Sequence, residues 1–349
     1  ALLVRSLTKD LAGRLPDLKS ARLEIEDVLG IRRASALMAG EAPLVAPNNL
    51  PRQSSSFVGR QGEIEACVKA LAQTRLLTLT GVGGSGKTRL ALKVAEVLLA
   101  ESPDGAWFVD LAPVTDPERV PLTIATAVGV REEPGQTLIK TLCAHFAHHK
   151  ALLVLDNCEH LVAASAAAVE ILLDAAPDLC VLATSREALS IPGETLHGVS
   201  TLALPPTDPP PTAASVVEFE AARLFVERGR LVRPDFQITD AEAPIVADLC
   251  RRLDGIPLAI ELSAARLRVL GVAEIRAKLD DRFRLLTGGS RTALPRQQTL
   301  RATIQWSYDL LVPEEQRFLR ALAAFTGGWT LETATRVCDE RGDEFETLD

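Results

Sequence analysis

The chain has 349 residues, of which 47% are hydrophobic and 24% are charged, and its formal net charge is −8. A chain of this length exceeds one hydrophobic core, so we expect two or three folded domains, and this composition does not favour disorder. The acidic balance, without a block of Lys or Arg, excludes the overall electrostatic footprint of a nucleic-acid-binding protein.

The cysteines and apolar segments indicate a cytoplasmic protein that does not enter a membrane. The six cysteines are scattered without a C-x-x-C pair, which is typical of reduced thiols in a cytosolic protein. The most apolar segment, Leu161 to Ala176, is too short to span a bilayer and contains Glu170 and Asp174. No signal peptide is visible, and Ala1 in place of Met suggests that the natural N-terminus lies upstream.

Residues 1–46 contain one predicted helix, from Ser20 to Met38, followed by a loop with Gly40 and Pro43. They are too few to form a core alone. We interpret them as the end of an upstream domain plus a linker, and a helix that packs on the next domain is the alternative.

Residues 47–204 are predicted to form an α/β domain, because short apolar runs alternate with helical stretches from Phe57 onward. The predicted strands are Leu76–Thr80, Ala106–Leu111, Ala151–Asp156, Cys180–Thr184 and Leu196–Leu204. The predicted helices are Lys87–Ala100, Pro117–Val128, Thr137–His149, Glu159–Ala175 and a short one near Glu187. This pattern indicates a parallel sheet with helices on both faces.

The rest of the chain is predicted to be helical. Residues 205–287 begin with a proline-rich linker and continue as a small helical domain, and residues 288–349 form a third, incomplete region. The predicted helices of the second region are Val217–Leu231, Asp240–Leu253, Leu258–Leu270 and Val272–Leu279, and those of the third are Thr299–Leu310, Pro313–Ala324 and Leu331–Val337.

The segment Gly81–Thr88 has the sequence GVGGSGKT and lies between a predicted strand and a predicted helix. In this context the pattern predicts a P-loop, in which glycines let successive backbone N–H groups point at phosphates and the helix N-terminus adds positive potential. Lys87 is then expected to bridge the terminal phosphates, and the Thr88 hydroxyl to bind Mg²⁺. The sequence therefore predicts ATP or ADP with Mg²⁺ as the ligand.

Three further polar residues follow predicted strands. Asp156 ends an unbroken apolar strand and is the expected Mg²⁺ partner, and Arg186 follows the next strand, where it would sense the γ-phosphate. Arg186 paired with a surface acid is the alternative. Asn157 comes directly after Asp156, so Glu159 is the nearest candidate general base, but it could equally be the first acid of a helix. We expect slow ATP hydrolysis.

Taken in order, the motifs resemble those of STAND NTPases, over about residues 48–337. They are Phe57-Val-Gly-Arg60, the Gly81–Thr88 loop, LLVLDNCEH from Leu152, ATSRE from Ala183, Gly255-Ile-Pro257-Leu-Ala and Trp306-Ser-Tyr308-Asp-Leu-Leu311. The chain is most similar to the AfsR-like and LuxR-type regulators of bacteria, which are relatives of the NB-ARC ATPases of plant resistance proteins and apoptotic adaptors.

The resemblance implies further contacts with an adenine nucleotide. Val58 and Arg60 would lie beside the base, and Pro257 would close on the nucleotide from the helical domain, although Pro257 also fits the first turn of a helix. The full set of predicted nucleotide-binding residues is Val58, Arg60, Gly81, Val82, Gly83, Gly84, Ser85, Gly86, Lys87, Thr88, Arg89 and Pro257. Those predicted to act in catalysis are Lys87, Asp156, Glu159 and Arg186.

The resemblance also implies a winged-helix domain that begins with the segment from Trp306 to Leu311 and normally regulates rather than binds DNA. Two departures from the family pattern stand out. Asn157 replaces the second acid after the strand, which puts hydrolysis in doubt, and no histidine that senses the β-phosphate can be identified before the chain ends.

Two other clusters are better explained without chemistry. His145, His148 and His149 have a spacing that can chelate a metal, but a solvated helix face is the favoured interpretation. Cys158 and His160 could suggest a nucleophile and its base, but at this spacing their side chains diverge.

The sequence thus predicts a nucleotide-dependent switch in a transcriptional regulator, which self-associates with ATP and reaches DNA only through domains outside this chain. The rival within the same architecture is a defence ATPase that oligomerises to activate an effector domain. A metabolic kinase would need an acceptor site with an Arg-rich lid, and a transporter ATPase would need a Leu-Ser-Gly-Gly signature. Neither feature is visible in the sequence, and no arginine finger of a hexameric AAA+ motor can be assigned.

Overall fold

The structure is a computed structural model, and it describes residues 46–133, 135–279, 308, 311–323, 325 and 330–338. The predicted helices Ser20–Met38 and Thr299–Leu310 lie outside the described residues, apart from Tyr308. The predicted domain boundaries at residues 47, 205 and 288 remain predictions.

A five-stranded parallel sheet forms the centre of the first half of the chain. Its strands are β1 (Leu76–Thr80), β2 (Ala106–Asp110), β3 (Leu152–Asp156), β4 (Cys180–Thr184) and β5 (Glu194–Gly198). The strand order is β2-β3-β4-β1-β5, so β4 lies between β1 and β3. All pairs are parallel, and the carboxyl ends of the five strands therefore meet at one edge of the sheet.

Helices cover both faces of this sheet, as the buried character of β3 requires. On one face lie α1 (Gln61–Leu71) and α2 (Lys87–Leu98), which pack on alternate strand residues such as Leu152 and Val154. On the other face lie α3 (Val120–Val128), α4 (Leu138–Phe146) and α5 (Val162–Ala175), which pack on the intervening ones such as Leu153 and Leu155. The predicted α/β fold is confirmed.

Residues 47–49 cover the β2 edge of the sheet, where Ala106 N donates to Pro47 O at 3.1 Å and Asn48 pairs with Ala106 in an isolated parallel bridge. Asn49 Oδ1 accepts a hydrogen bond from Phe108 N at 2.6 Å, and Asn49 Nδ2 donates to Phe108 O at 2.9 Å. The Asn49 amide thereby pairs the backbone groups that an edge strand exposes.

A helical bundle follows the sheet. It consists of α6 (Ala213–Val216), α7 (Glu220–Val232), α8 (Ala243–Arg252), α9 (Pro257–Ala264) and α10 (Val272–Lys278). Its core includes Phe225, Val246 and Ile260, and it also takes in Val58 and Leu202 from the segments that flank the α/β part. The two parts of the molecule therefore share apolar packing.

Further along, α11 (Pro313–Leu322) and α12 (Leu331–Cys338) pack against each other. Pro313 stands in the first turn of α11, where its missing N–H costs nothing. The predicted winged-helix segment from Trp306 lies outside the described residues except for Tyr308 and Leu311, so that assignment remains a prediction.

Several predicted boundaries were wrong. The fifth strand spans Glu194–Gly198 rather than Leu196–Leu204, because Leu202 turns into the core of the helical bundle. The segment around Glu187 is a bend without a helix. The helix predicted from Glu159 is divided into a 3₁₀ turn, Cys158–His160, and α5, which starts at Val162.

None of the helices in the described ranges is long and apolar enough to cross a bilayer.

Gly255 lies between α8 and α9 and contacts Leu202 in the segment that follows β5. This contact helps to hold the helical bundle against the α/β part. Its φ is +66°, and a Cβ atom there would lie 2.5 Å from Leu202 O. Leu202 N also donates to Gly255 O at 3.0 Å, so the two backbones cannot easily move apart.

We expect Gly255→Ala to lower the free energy of unfolding by about 2 kcal/mol or more, because it adds both backbone strain and a steric clash. The measurement is equilibrium urea unfolding followed by circular dichroism. Gly62→Ala is the matched control, since Gly62 is helical with no atom near its Cβ position. The control should leave stability unchanged or raise it by up to about 1 kcal/mol. Equal effects of the two substitutions would contradict this account.

Candidate nucleotide-binding site

The loop between β1 and α2 has a conformation that requires glycine. Gly84 and Gly86 have φ values of +81° and +92°. A Cβ atom at Gly84 would lie 3.0 Å from Leu258 Cβ, and one at Gly86 would lie 3.2 Å from Arg60 Nη1. The loop is therefore closely surrounded on its outer side, and any side chain at these two positions would push it out of place.

Lys87 lies against this loop. Its Nζ donates to Gly81 O at 2.7 Å and to Val82 O at 3.3 Å, and only 9% of the residue is exposed. Ser85 Oγ is buried in the same loop without a hydrogen-bond partner among the described residues. A buried hydroxyl without a partner and an ammonium beside backbone amides at a helix N-terminus fit a polyphosphate.

Asp156 is the centre of a hydrogen-bond network at the carboxyl edge of the sheet. Thr88 Oγ1 and Thr184 Oγ1 each donate to Asp156 Oδ1 at 2.7 Å. Burial raises the pKa of Asp156, and the hydrogen bonds from Thr184 and Thr88 oppose that rise. A carboxylate and a hydroxyl in contact are oxygen ligands of the kind that Mg²⁺ prefers. The structure thus brings together the two predicted metal ligands.

Asn157 is held away from any role as a proton acceptor. Its φ is +70°, and its Nδ2 lies 3.2 Å from His160 Nδ1. His160 Nε2 lies 2.8 Å from Val114 O, which can only accept, so Nε2 donates and Nδ1 accepts from Asn157. An amide fixed in this way orients a neighbouring residue but cannot act as a general base.

Glu159 and Arg186 form an ion pair. Arg186 Nε lies 3.5 Å from Glu159 Oε1, and the Glu159 side chain is only 9% exposed. The other carboxylate oxygen, Oε2, is buried and has no hydrogen-bond partner among the described residues. The predicted general base and the predicted γ-phosphate sensor thus contact each other.

A narrow crevice beside the loop contains the residues predicted to lie near the base. It is lined by Phe57, Val58, Arg60, Gly86, Arg89, Leu202, Leu224, Pro257 and Glu261. Its volume is about 30 Å³, enough for a water molecule or two rather than for a purine. The walls of the crevice come from both the α/β part and the helical bundle.

Arg60 is buried in this crevice and already has partners within the chain. Its Nη2 donates to Ser200 O at 2.6 Å, and its Nε lies 3.3 Å from Glu63 Oε2. Only 5% of Arg60 is exposed. The side chain therefore fixes the position of the loop residue Gly86 as well as facing the crevice.

Glu220, at the start of α7, is a positioning residue that sequence reasoning missed. Its Oε1 accepts a hydrogen bond from Arg60 N at 2.6 Å, and its Oε2 accepts from Ala203 N at 3.4 Å. Any Cβ at Gly59 would clash with this carboxylate. The helical bundle thereby holds the backbone of the predicted base-side segment.

Arg89 belongs to a charged cluster that the sequence did not reveal. Its guanidinium donates to Ser55 O at 2.9 Å and Ser56 O at 2.8 Å, and it lies 3.3 Å from Glu261 Oε1. The buried Arg228 lies 2.9 Å from the same Glu261 oxygen and donates to Ser56 O at 2.7 Å. This Arg89–Glu261–Arg228 cluster ties the helix after the loop to the helical bundle.

The structure describes the contacts of the two clusters that the sequence analysis set aside. His145 and His149 stack with ring centroids 4.6 Å apart, and no group of three possible ligands for a metal occurs in the described part of the chain. Cys158 is fully buried, which raises the pKa of its thiol, and its Sγ contacts Leu155 O. His160 is directed at Asn157 and Val114 instead.

Thr184 is the remaining residue that was missed. It ends the strand between β1 and β3, and it accepts a hydrogen bond from Asn157 N at 2.9 Å while donating to Asp156. A hydroxyl residue at the carboxyl end of an apolar strand was the available signal.

Comparison with known proteins agrees with this geometry. A family model described as "AAA domain" matches residues 71–189. The chain is 43% identical over 299 residues to the "Uncharacterized protein Mb0918" of Mycobacterium bovis, covering 85% of this chain and 73% of that protein. It is 28% identical to the "Regulatory protein AfsR" of Streptomyces coelicolor, over 99% of this chain and 34% of AfsR. The chain is a P-loop NTPase of the same family as this mycobacterial protein.

Two further similarities define what this P-loop NTPase shares with its relatives. It is 47% identical over 280 residues to a "Putative HTH-type transcriptional regulator" of M. bovis, covering 80% of this chain but only 30% of that protein. The Walker-type ATPase of Pyrococcus abyssi has the same fold, with a TM-score of 0.52 at 15% identity over 86% of this chain and 91% of that one. The chain thus spans about a third of the length of the regulators it matches.

The charged cluster leads to a test of how the helical bundle is attached. We expect Arg228→Ala to lower the free energy of unfolding by about 1–3 kcal/mol, because Ser56 O and Glu261 would lose a buried charged donor. Urea unfolding followed by circular dichroism measures the change.

Arg233→Ala is the matched control, since Arg233 lies at the end of the same helix, is 49% exposed and pairs with Asp235 at 3.7 Å. That substitution should change stability by less than about 0.5 kcal/mol. If both arginines prove equally dispensable, the cluster does not hold the bundle in place.

Proposed function

We propose that this P-loop NTPase is the nucleotide-operated switch of a bacterial transcriptional regulator, that it binds ATP and ADP with Mg²⁺, and that it works in the cytoplasm. The observation that carries this proposal is the contact of Thr88 and Thr184 with Asp156, directly beside the loop that contains Lys87. The related mycobacterial and Streptomyces proteins are named as a transcriptional regulator and a regulatory protein, which supports the regulatory assignment.

In this proposal the loop backbone and Lys87 bind the phosphates, and Thr88 and Asp156 bind the metal. Backbone N–H groups and the start of α2 would hold the phosphates, and Lys87 would exchange its contacts with Gly81 O and Val82 O for the terminal phosphates. Thr88 and Asp156 would hold Mg²⁺. When bound, the metal supplies positive charge that neutralises the phosphates and the buried carboxylate.

Hydrolysis would be slow, since Asn157 cannot accept a proton from water. Glu159 is then the nearest acid that follows β3, and in this structure it is paired with Arg186. A carboxylate in contact with a guanidinium is less available to contact a water molecule than a free one. Slow turnover suits a switch, because each nucleotide state then lasts long enough to be sensed.

The switch itself would depend on the position of the helical bundle. Leu258 N donates to Gly84 O at 3.3 Å, so the bundle contacts the phosphate loop directly. The crevice between the two parts is too small for a base, and binding therefore requires them to separate locally. ADP would favour a closed monomer, and ATP an open form that self-associates, to the extent that their affinities for the two forms differ.

The loop assignment predicts a selective effect of one lysine. Lys87→Ala should weaken binding of ATP and ADP by at least about 30-fold, because the charged donor contributes about 2–3 kcal/mol to the bound state. Isothermal titration calorimetry in the presence of Mg²⁺ measures this. Lys93→Ala on the same helix is the control, since Lys93 pairs with Glu96 at the surface. Unchanged affinity in Lys87→Ala would refute the site.

Self-association provides a second test. We expect the chain, extended to its natural flanking domains, to be monomeric with ADP and to form larger assemblies with a non-hydrolysable ATP analogue. Light scattering after size-exclusion chromatography measures the mass, and Lys87→Ala should remain monomeric in both. The same mass with either nucleotide would count against the switch.

A further inference from the structure

We propose that Glu159 sets the preference of this site for ATP over ADP by competing with the γ-phosphate for Arg186. This inference deepens the proposed function and rests on it, because it assumes that the loop around Lys87 binds a nucleotide. It assigns to Glu159 a role in selecting the ligand, in addition to any role as a base.

The positions of Glu159 and Arg186 place their ion pair at the carboxyl edge of the sheet, where a γ-phosphate would compete with Glu159 for Arg186. Glu159 lies on the 3₁₀ turn that follows β3, and Arg186 comes two residues after β4, the neighbouring strand. Asp156 lies at the same edge, and the nearby charge of Glu159 contributes to raising its pKa. Arg186 is therefore paired with Glu159 at the same edge of the sheet as the predicted metal ligand Asp156.

The environment of Glu159 shows that this ion pair differs from an ordinary surface contact. The Glu159 side chain is 9% exposed and that of Arg186 is 21% exposed, whereas the Arg233–Asp235 pair is 49% and 79% exposed. Glu159 Oε2 is buried without a hydrogen-bond partner among the described residues. A carboxylate buried in this way depends on its cation, because an uncompensated charge in a water-poor environment is costly.

Competition follows from the charges. A guanidinium that turns towards a terminal phosphate must give up part of its contact with Glu159, and Arg suits a phosphate at least as well as a carboxylate. ATP carries a γ-phosphate beyond the β-phosphate, and ADP does not. Only ATP would therefore place a phosphoryl group within reach of Arg186 at the sheet edge. Glu159 therefore reduces the affinity for ATP and leaves that for ADP nearly unchanged. The same movement of Arg186 would release Glu159 as a proton acceptor only when ATP is bound.

The decisive experiment compares the affinities for ADP and for the non-hydrolysable analogue AMPPNP, both with Mg²⁺, by calorimetry. We expect Glu159→Gln to raise the affinity for AMPPNP about 3- to 10-fold relative to ADP, since it removes a partly buried competing charge. Arg186→Gln should lower that relative affinity. The double variant should behave like Arg186→Gln alone, because without Arg186 there is nothing to compete for.

Two controls keep the outcome specific. Glu170→Gln removes an exposed acid on α5 and should leave both affinities unchanged. Glu159→Ala serves as a second variant should Glu159→Gln fold poorly, and it should shift the ratio in the same direction. A structural role of Glu159 alone would change both affinities in parallel and would leave the ratio where it was.

The inference is overturned if the AMPPNP-to-ADP ratio is the same in the wild type and Glu159→Gln, or if the double variant keeps the gain. A wild-type chain that binds neither nucleotide would refute the proposed function itself, which separates the two failures.

Discussion

The carboxylate of Asp156 links two strands and a helix at the carboxyl edge of the sheet, and the rest of the site depends on it. Because β4 lies between β1 and β3, Thr184 reaches Asp156 from the neighbouring strand while Thr88 reaches it from the helix after β1. Burial raises the pKa of Asp156 above that of an exposed aspartate. Its ionised form therefore lowers the stability of the fold above the folded-state pKa, and this cost falls as the pH decreases through that pKa towards the unfolded-state value. A bound cation would offset the same cost, so metal binding and local stability are coupled.

The parts of the site that the sequence predicted are those that a local pattern defines. Asp156 and Arg186 each follow an apolar strand, and the Gly81–Thr88 loop joins a strand to a helix, so each could be placed without knowing the remaining contacts. The fifth strand and the helix near Glu187 were misplaced because contacts between residues several positions apart decide the local structure there. Glu194, the first residue of the fifth strand, accepts hydrogen bonds from Leu189 N and Ser190 N. These bonds close a loop where a short helix was predicted.

The contacts between the α/β part and the helical bundle could not be predicted, because they join residues that are far apart in the sequence. Glu220 and Arg60 are separated by 160 residues, and Glu220 alone looks like any acid in the first turn of a helix. Arg228 gave a weak signal, since it lies four residues after Leu224 and three after Phe225, on the buried face of α7. A charge on an apolar face indicates that a partner exists but does not identify Glu261 and Ser56.

These long-range contacts make the nucleotide site depend on where the helical bundle lies. Glu220 fixes the backbone at Arg60, Leu258 donates to Gly84 O, and Glu261 holds Arg89 directly after Thr88. Each of these contacts joins a bundle residue to a segment that would touch the base, the phosphates or the metal. In the proposed switch, a displacement of the bundle would alter the affinity for nucleotide, and by linkage a nucleotide that binds one arrangement better would favour that arrangement by the same free energy. The size of that coupling is limited by contacts that exist in only one arrangement. The ion pair between Glu159 and Arg186 would be such a contact, because a γ-phosphate would compete with Glu159 for Arg186.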